Sequence, residues 1–296
     1  MLKSSKVRDM SSEAQVAMFQ PAPVKVRLPD IVPAPPITSY TMLFRPDCRL
    51  PQALEVMHER GGRTVVSAPC SAGPEVDSFL ALHNKSGFAG SLAITGFDIV
   101  PESIRQARGA TYFLERDDCE DRMPALEGML KSYGFRTDFK TAHSVRDEAH
   151  ETLMRDLYPD GDQIESRGGE FYQISSAPVR EGHEVEFIEH DLREPLPMAE
   201  GTADLVLANN LFYHLNLEDA SKVLHNLAVV LSERGVLSIE DHGEPKSVMM
   251  YPKGFGADPV LHKDWIKMAA NTLSSEFGLQ TIGTDKFGIP VMFGRN

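Results

Sequence analysis

The chain has 296 residues, with 30 Lys and Arg against 43 Asp and Glu, a formal net charge of −13. Its 42% hydrophobic and 25% charged content suits a folded globular protein with a sizeable core. The negative balance argues against broad electrostatic binding to nucleic acid or to an anionic membrane.

No apolar run approaches the roughly 20 residues that span a bilayer, so no membrane insertion is expected. The opening "MLKSSKVRDMSSEAQ" lacks the apolar stretch of a secretory signal. Cys48, Cys70 and Cys119 are too scattered for a disulfide framework or a zinc site. A cytoplasmic, metal-free protein is the expectation.

Residues 1–36 hold six prolines and end in "QPAPVKVRLPDIVPAPP", which predicts an extended arm, because proline fixes φ and removes a donor. From there the pattern predicts a Rossmann-like α/β fold over residues 37–296. "CRLPQALEVMHERGG" reads as a helix closed by glycine, and "RTVVSA" as a short buried strand. "PEVDSFLALHNKSG" is a helix ending at Gly87, "SLAITGFDI" a second strand, and "VPESIRQARG" a helix with Pro101 near its start. That alternation builds a doubly wound, mainly parallel sheet.

A highly charged stretch, residues 114–168, follows with helical fragments "MPALEGMLKSYG" and "RDEAHETLMRDLY". It predicts a subdomain inserted at about 114–188, whose simplest role is a solvated face and whose sharper role is substrate docking. "EFYQISSAPVREGHEVEFIEHDL" alternates like strand. "ADLVLANNLFYHL" reads as strand and loop, "NLEDASKVLHNLAVVLSERG" as a helix stopped by glycine, and "VLSIEDHGEP" as a strand. A helix around Trp265 and a closing hairpin in "GLQTIGTDKFGIPVMFGRN" complete the chain.

In such sheets ligands bind beyond the carboxyl ends of the strands. Four stretches fall there: "SAPCSAGPE", "FDIVPES", "EHDLREP" and "ANNLFYH". The small residues of the first let a backbone approach a ligand, and the helix behind them offers free amides. It lacks G-x-G-x-x-G, so a dinucleotide is disfavoured. Asp98, ending the second strand, can accept both hydroxyls of a ribose. Asp191 and Leu192 offer a polar group and an apolar face to adenine, and Asn209 and Asn210 offer amides. Together these stations fit S-adenosylmethionine, with S-adenosylhomocysteine as product.

Here the sequence resembles a known family. "TSYTMLFRPDCRLPQALEVM", "RTVVSAPCSAGPEVDSFLAL", "GFDIVPESIRQARGATY", "VEFIEHDL", "ADLVLANNLFYHL" and "GVLSIEDHGEP" look like segments of the CheR-type protein-glutamate methyltransferases of chemotaxis. The resemblance covers residues 38–245, and Ser-Ala-x-Cys-Ser-x-Gly-x-Glu is its most specific spacing. It implies a class I methyltransferase fold, with Thr41 and Arg45 beside the cofactor and Arg45 catalytic. It implies further contacts from Ala68, Glu75 (facing the ammonium group), Asp98, Asp191, Leu192, Asn210 and Leu211. The sequence departs from the family at Pro74, where the family has an acid, and at Asn209, where it has arginine. The late aromatic triplet reads Tyr213, His214 and Leu215, and a proline-rich arm replaces the N-terminal helical domain.

The expected reaction transfers a methyl group to a carboxylate, on a small molecule or a protein. Such an acceptor is ionised at neutral pH and needs no base, and Arg45 would orient it. An amine or hydroxyl acceptor, as in a biosynthetic N- or O-methyltransferase, would need one from Tyr213 or His214. A non-catalytic module that binds the same cofactor is the alternative outside enzymes.

Overall fold

The structure, a computed structural model, describes residues 24–27, 40–44, 49–115, 123–140, 171–212, 215–239, 262–284 and 290–295. In chain order the strands are β1 (Val24–Arg27), β2 (Tyr40–Leu43), β3 (Thr64–Ser67), β4 (Ala93–Asp98), β5 (Thr111–Glu115), β6 (Arg136–Lys140), β7 (Phe171–Ser175), β8 (Glu184–Glu189), β9 (Ala203–Leu207), β10 (Leu231–Ser238), β11 (Gln280–Thr284) and β12 (Pro290–Gly294). The helices are α1 (Leu50–Glu59), α2 (Pro74–Ser86), α3 (Pro101–Gly109), α4 (Met123–Ser132), α5 (Ala177–Arg180), α6 (Leu217–Val229) and α7 (His262–Phe277).

Seven strands form the main sheet in the order β11-β12-β10-β9-β3-β4-β8. The run from β10 to β8 is parallel, and β12 is antiparallel to both β10 and β11. The strand order reverses at β3, with β4 and β8 to one side and β9 and β10 to the other. This is the Rossmann-like arrangement of class I methyltransferases.

Parallel strands covered on both faces read as continuous apolar runs, and "TVVS", "ADLVL" and "GVLS" do so here. Val65, Leu205, Leu207 and Val236 pack with Leu54 and Met57 of α1 and Phe79 and Leu80 of α2. Their neighbours Val66, Val206 and Leu237 turn to the other face, against Val223, Leu224 and Leu227 of α6 and Leu273 of α7. The helix termini are set locally. Pro74 and Pro101 stand in the first turns of α2 and α3, where a missing N–H costs nothing. At α6 the Asn216 side chain accepts from the Asp219 amide.

A second, five-stranded antiparallel sheet has the order β2-β1-β5-β7-β6. It takes β5, β6 and β7 from the charged middle of the chain, and β8 then returns to the main sheet. Val24–Arg27, inside the proline-rich segment, is strand β1, paired residue by residue with β2. The fragment "RDEAHETLMRDLY" lies outside the described residues.

The structure differs from the sequence reading in more than one place: a helical turn, α5 (Ala177–Arg180), interrupts the stretch read as strand, and one helix boundary moves. The helix starting at Leu217 stops at Val229 rather than at Gly235. "LSER" instead belongs to β10 as an irregular stretch, in which Leu231 pairs with Ala203 and Val236 with Leu205. Gly235 is required at that irregularity, because a Cβ there would lie 2.7 Å from the Ala203 carbonyl oxygen.

Candidate active site

The carboxyl ends of β3, β4, β8 and β9 converge around the turn 67–73. Its backbone is tied on both sides: the Ala68 amide donates to the Leu207 carbonyl (2.9 Å) and the Cys70 amide to Phe97 (2.8 Å). Ala68, Cys70 and Ala72 are buried, the Ala68–Pro69 peptide is cis, and Gly73 turns the chain into α2 with φ 87.

Glu75, in the first turn of α2, is gripped at both oxygens. Ser67 Oγ donates to Oε1 at 2.9 Å, and Asn209 Nδ2 donates to Oε2 at 2.7 Å. Asp98 closes β4. Its Oδ2 accepts from the Ser71 amide at 2.8 Å and its Oδ1 from the Val100 amide at 2.9 Å. Burial pushes the Asp98 carboxyl above its ordinary range, while the amides of Val100 and Ser71 act in the opposite direction. The Cys70 thiol is pushed well up, by burial first and then by the charges of Asp98 and Glu75. It therefore stays protonated at neutral pH and is no nucleophile.

Leu192 is buried in one apolar cluster with Ala68, Phe97, Leu211 and Phe212, and its carbonyl accepts from Asn226 of α6 at 2.9 Å. Asp191 is engaged by Arg193, whose Nη2 donates to Oδ2 at 2.6 Å and whose Nε lies 2.9 Å from Oδ1. That pairing holds the Asp191 carboxyl below the usual range. Asn210 adopts a left-handed conformation, φ 57, which asparagine tolerates better than most residues.

The structure therefore brings Ala68, Glu75, Asp98, Leu192, Asn210 and Leu211 to one end of the sheet, with Asp191 at its rim. Thr41 lies in β2. The segment ending at Phe44 docks on α2, where the Phe44 amide donates to Ser78 Oγ at 2.8 Å. The Phe44 ring packs on Tyr133 and Phe135, with centroids 4.9 and 5.7 Å away. Arg45, Tyr213 and His214 lie outside the described residues.

Two residues at this end, Ser67 and Ile99, are given no role by sequence reasoning, and Asn209, read there as an amide offered to the ligand, donates to Glu75. Ser67 and Asn209 hold Glu75, and Ile99, next to Asp98, is 52% exposed although large and apolar. Ile99 had a signal, an apolar side chain placed where a strand has ended. The bond from Asn209 to Glu75 joins positions 134 apart and leaves no local pattern. Among the described residues no group of His, Cys, Asp and Glu could hold a metal ion, and no helix is long and apolar enough to cross a membrane.

Residues 170–239 match the family model described as a methyltransferase domain. That stretch, running from β7 through β10, is where the methyltransferase-domain signature lies. Together with the parallel sheet above, the match supports a class I methyltransferase fold, for which S-adenosylmethionine is the methyl donor.

Similar solved structures include an O-methyltransferase family protein from Burkholderia thailandensis, at 15% identity over 83% of this chain and 55% of that one, TM-score 0.42. A TehB-like SAM-dependent methyltransferase from Corynebacterium glutamicum is 12% identical over 82% and 87%, TM-score 0.39. A protein from Pyrococcus horikoshii is 17% identical over 64% and 54%, TM-score 0.31. The chain spans about half the length of the Burkholderia and Pyrococcus proteins. No curated protein matches the sequence.

Proposed function

We propose that the domain holds S-adenosylmethionine across the ends of β3, β4, β8 and β9 and methylates a carboxylate, on a small molecule or a protein. The observation that supports this most is the placement of two carboxylates, Glu75 and Asp98, on either side of a buried small-residue turn. The donor set suits the cofactor. Glu75 faces its ammonium group, and Asp98 keeps acceptor capacity for the ribose hydroxyls beyond its two amide bonds. Leu192, Leu211 and the exposed Ile99 offer apolar surface to adenine. Arg193 occupies Asp191, but Arg193 is exposed and Asp191 only half-buried, so water screens the pair and a ligand displaces it cheaply.

When bound, the cofactor supplies a sulfonium-activated methyl group for in-line displacement. The chain's own contribution is position, since holding nucleophile and methyl in line supplies on the order of 7–11 kcal/mol in favourable cases. An acceptor carboxylate is already ionised. In the CheR-like reading, Arg45 orients it through a bidentate contact and Thr41 stands beside the cofactor. Tyr213 and His214 act as a base only toward an amine or hydroxyl. The carboxylate acceptor and the cytoplasmic setting rest on the sequence.

The test is calorimetric titration with S-adenosylhomocysteine, run on the wild type and on Asp98→Ala. One-to-one binding weakened at least about tenfold in the variant is expected, since a charged hydrogen-bond acceptor is lost. Equal affinities would remove Asp98 from the site. A transferred label released as methanol in alkali would identify the product as an ester, and an alkali-stable label would exclude a carboxylate acceptor.

A further inference from the structure

We infer that Asn209 is a positioning residue for cofactor recognition, setting the direction of the Glu75 carboxylate toward the ammonium group; this rests on the reading of Glu75 given above. A glutamate in the first turn of a helix has three rotatable side-chain bonds and can aim its charge in several directions. Here it is gripped from the end of β3 and from the loop just past β9, by the Ser67 hydroxyl at 2.9 Å and the Asn209 amide at 2.7 Å.

Both donors are themselves rigid. Ser67 is fully buried and Asn209 is 3% exposed. The backbone before Asn209 is pinned on two sides, with the Ala208 amide on the Ser238 carbonyl at 2.8 Å and the Leu207 carbonyl accepting from Ala68 at 2.9 Å. The amide must present its nitrogen to Glu75, because a carboxylate only accepts.

Serine and asparagine are both neutral. They fix the carboxylate's geometry without themselves offsetting its charge. An ammonium group needs such an acceptor, aimed and still charged, for a charge-assisted bond. Asn209 therefore contributes to affinity for the amino-acid end of the cofactor and not for its nucleoside end.

The experiment separates the two ends. Wild type, Glu75→Gln and Asn209→Leu are titrated with S-adenosylhomocysteine and with 5′-methylthioadenosine, which has the same nucleoside and thioether but no amino-acid tail. Leucine keeps the branched shape of asparagine, though it is bulkier, and removes the donor. The expected result is S-adenosylhomocysteine binding weakened about tenfold in Asn209→Leu, with 5′-methylthioadenosine binding changed by less than about twofold.

Equal weakening of both ligands would mean a merely structural role and would overturn the inference, as would no change in either. If Glu75→Gln abolishes the preference for the tailed ligand while Asn209→Leu retains it, only the role of Asn209 falls. If the wild type has no such preference, or Glu75→Gln keeps it, the reading of Glu75 itself falls, and this inference with it. Should Asn209→Leu not fold, Asn209→Ser, polar but too short to reach Glu75, is read by the same ratio.

Discussion

Gly73 stands where the small-residue turn becomes α2, with φ 87, a region that costs an L-residue roughly 1–2 kcal/mol. A Cβ there would also meet Phe187 Cζ at 3.1 Å and the Ala107 Cβ at 3.2 Å. Gly73→Ala is therefore expected to lower stability by about 1–2 kcal/mol, read from a denaturant midpoint. It should also weaken S-adenosylhomocysteine binding, because Glu75 lies two residues on and its grip depends on where α2 begins. An unchanged midpoint would show that the turn tolerates a side chain. The sequence points to Glu75 and Asp98 because each follows a strand end, where this class of sheet exposes backbone. The small residues also have a packing reason. Ala68, Cys70 and Ala72 are small because they are packed, so the run makes close approach possible from below as well as from the ligand side. One of the two groups that hold Glu75, Asn209 just past the end of β9, lies too far along the chain for any spacing rule to catch.

At the scale of elements, α2 joins the site to the second sheet. Its first turn carries Glu75, and Asp77 is fully buried and bound by Arg180 of α5, with Nε to Oδ1 at 2.6 Å and Nη2 to Oδ2 at 2.8 Å. Tyr112 of β5 donates its hydroxyl to the same carboxylate. Arg180 also donates to the Ala107 carbonyl at 2.7 Å and stacks over Phe187, 4.9 Å from the ring centroid. Burial pushes the Tyr112 hydroxyl well up, with Asp77 adding to it. Removing one partner strands a buried charge, which costs far more than the pair itself contributes. Arg180→Met is expected to destabilise by about 3–5 kcal/mol, and adding Asp77→Leu to recover much of that loss. Urea melts of the two variants test it; additive losses would show that the pair is not coupled. None of this is legible in the sequence, where Asp77 is an ordinary helical acid and Arg180 lies 103 positions away. The main sheet is legible because two-sided burial turns its strands into apolar runs. The second sheet is not, because "VKVR" and "RTDFK" are short and charged, and β1 joins the sheet by pairing with β5, far along the chain.

Across the whole molecule, acid acts at the end of α2 away from the site, where three histidines meet. His83, 1% exposed, presents Nε2 to the Gly90 carbonyl at 3.0 Å and Nδ1 to His58 Nε2 at 3.0 Å. The carbonyl accepts only, so His83 Nε2 carries the proton and Nδ1 accepts from His58. His183 accepts from the Leu92 amide at 3.0 Å and meets Asn84 Oδ1 at 2.8 Å through its other nitrogen. All three rings are thus bonded in their neutral forms, and protonating His83 or His183 at Nδ1 breaks a bond. Burial lowers the pKa of each, that of His58 to about 4, with His83 and then Arg63 adding to the effect there. Folded values below the unfolded 6.5 favour the neutral form in the native state. Their contribution is complete above about pH 6.5 and is lost as pH falls from there toward about 4. Between pH 6.5 and 5.5 carboxylates with pKa near 4 stay ionised, so the charge of −13 relaxes little by that route. The histidines then set the slope. The thermal midpoint should fall as pH drops through this window, and fall less in His58→Phe, which keeps a ring against Phe88, 3.9 Å away, but cannot titrate. Parallel curves for the two proteins would mean that His58 does not set the acid response, and that groups elsewhere carry it.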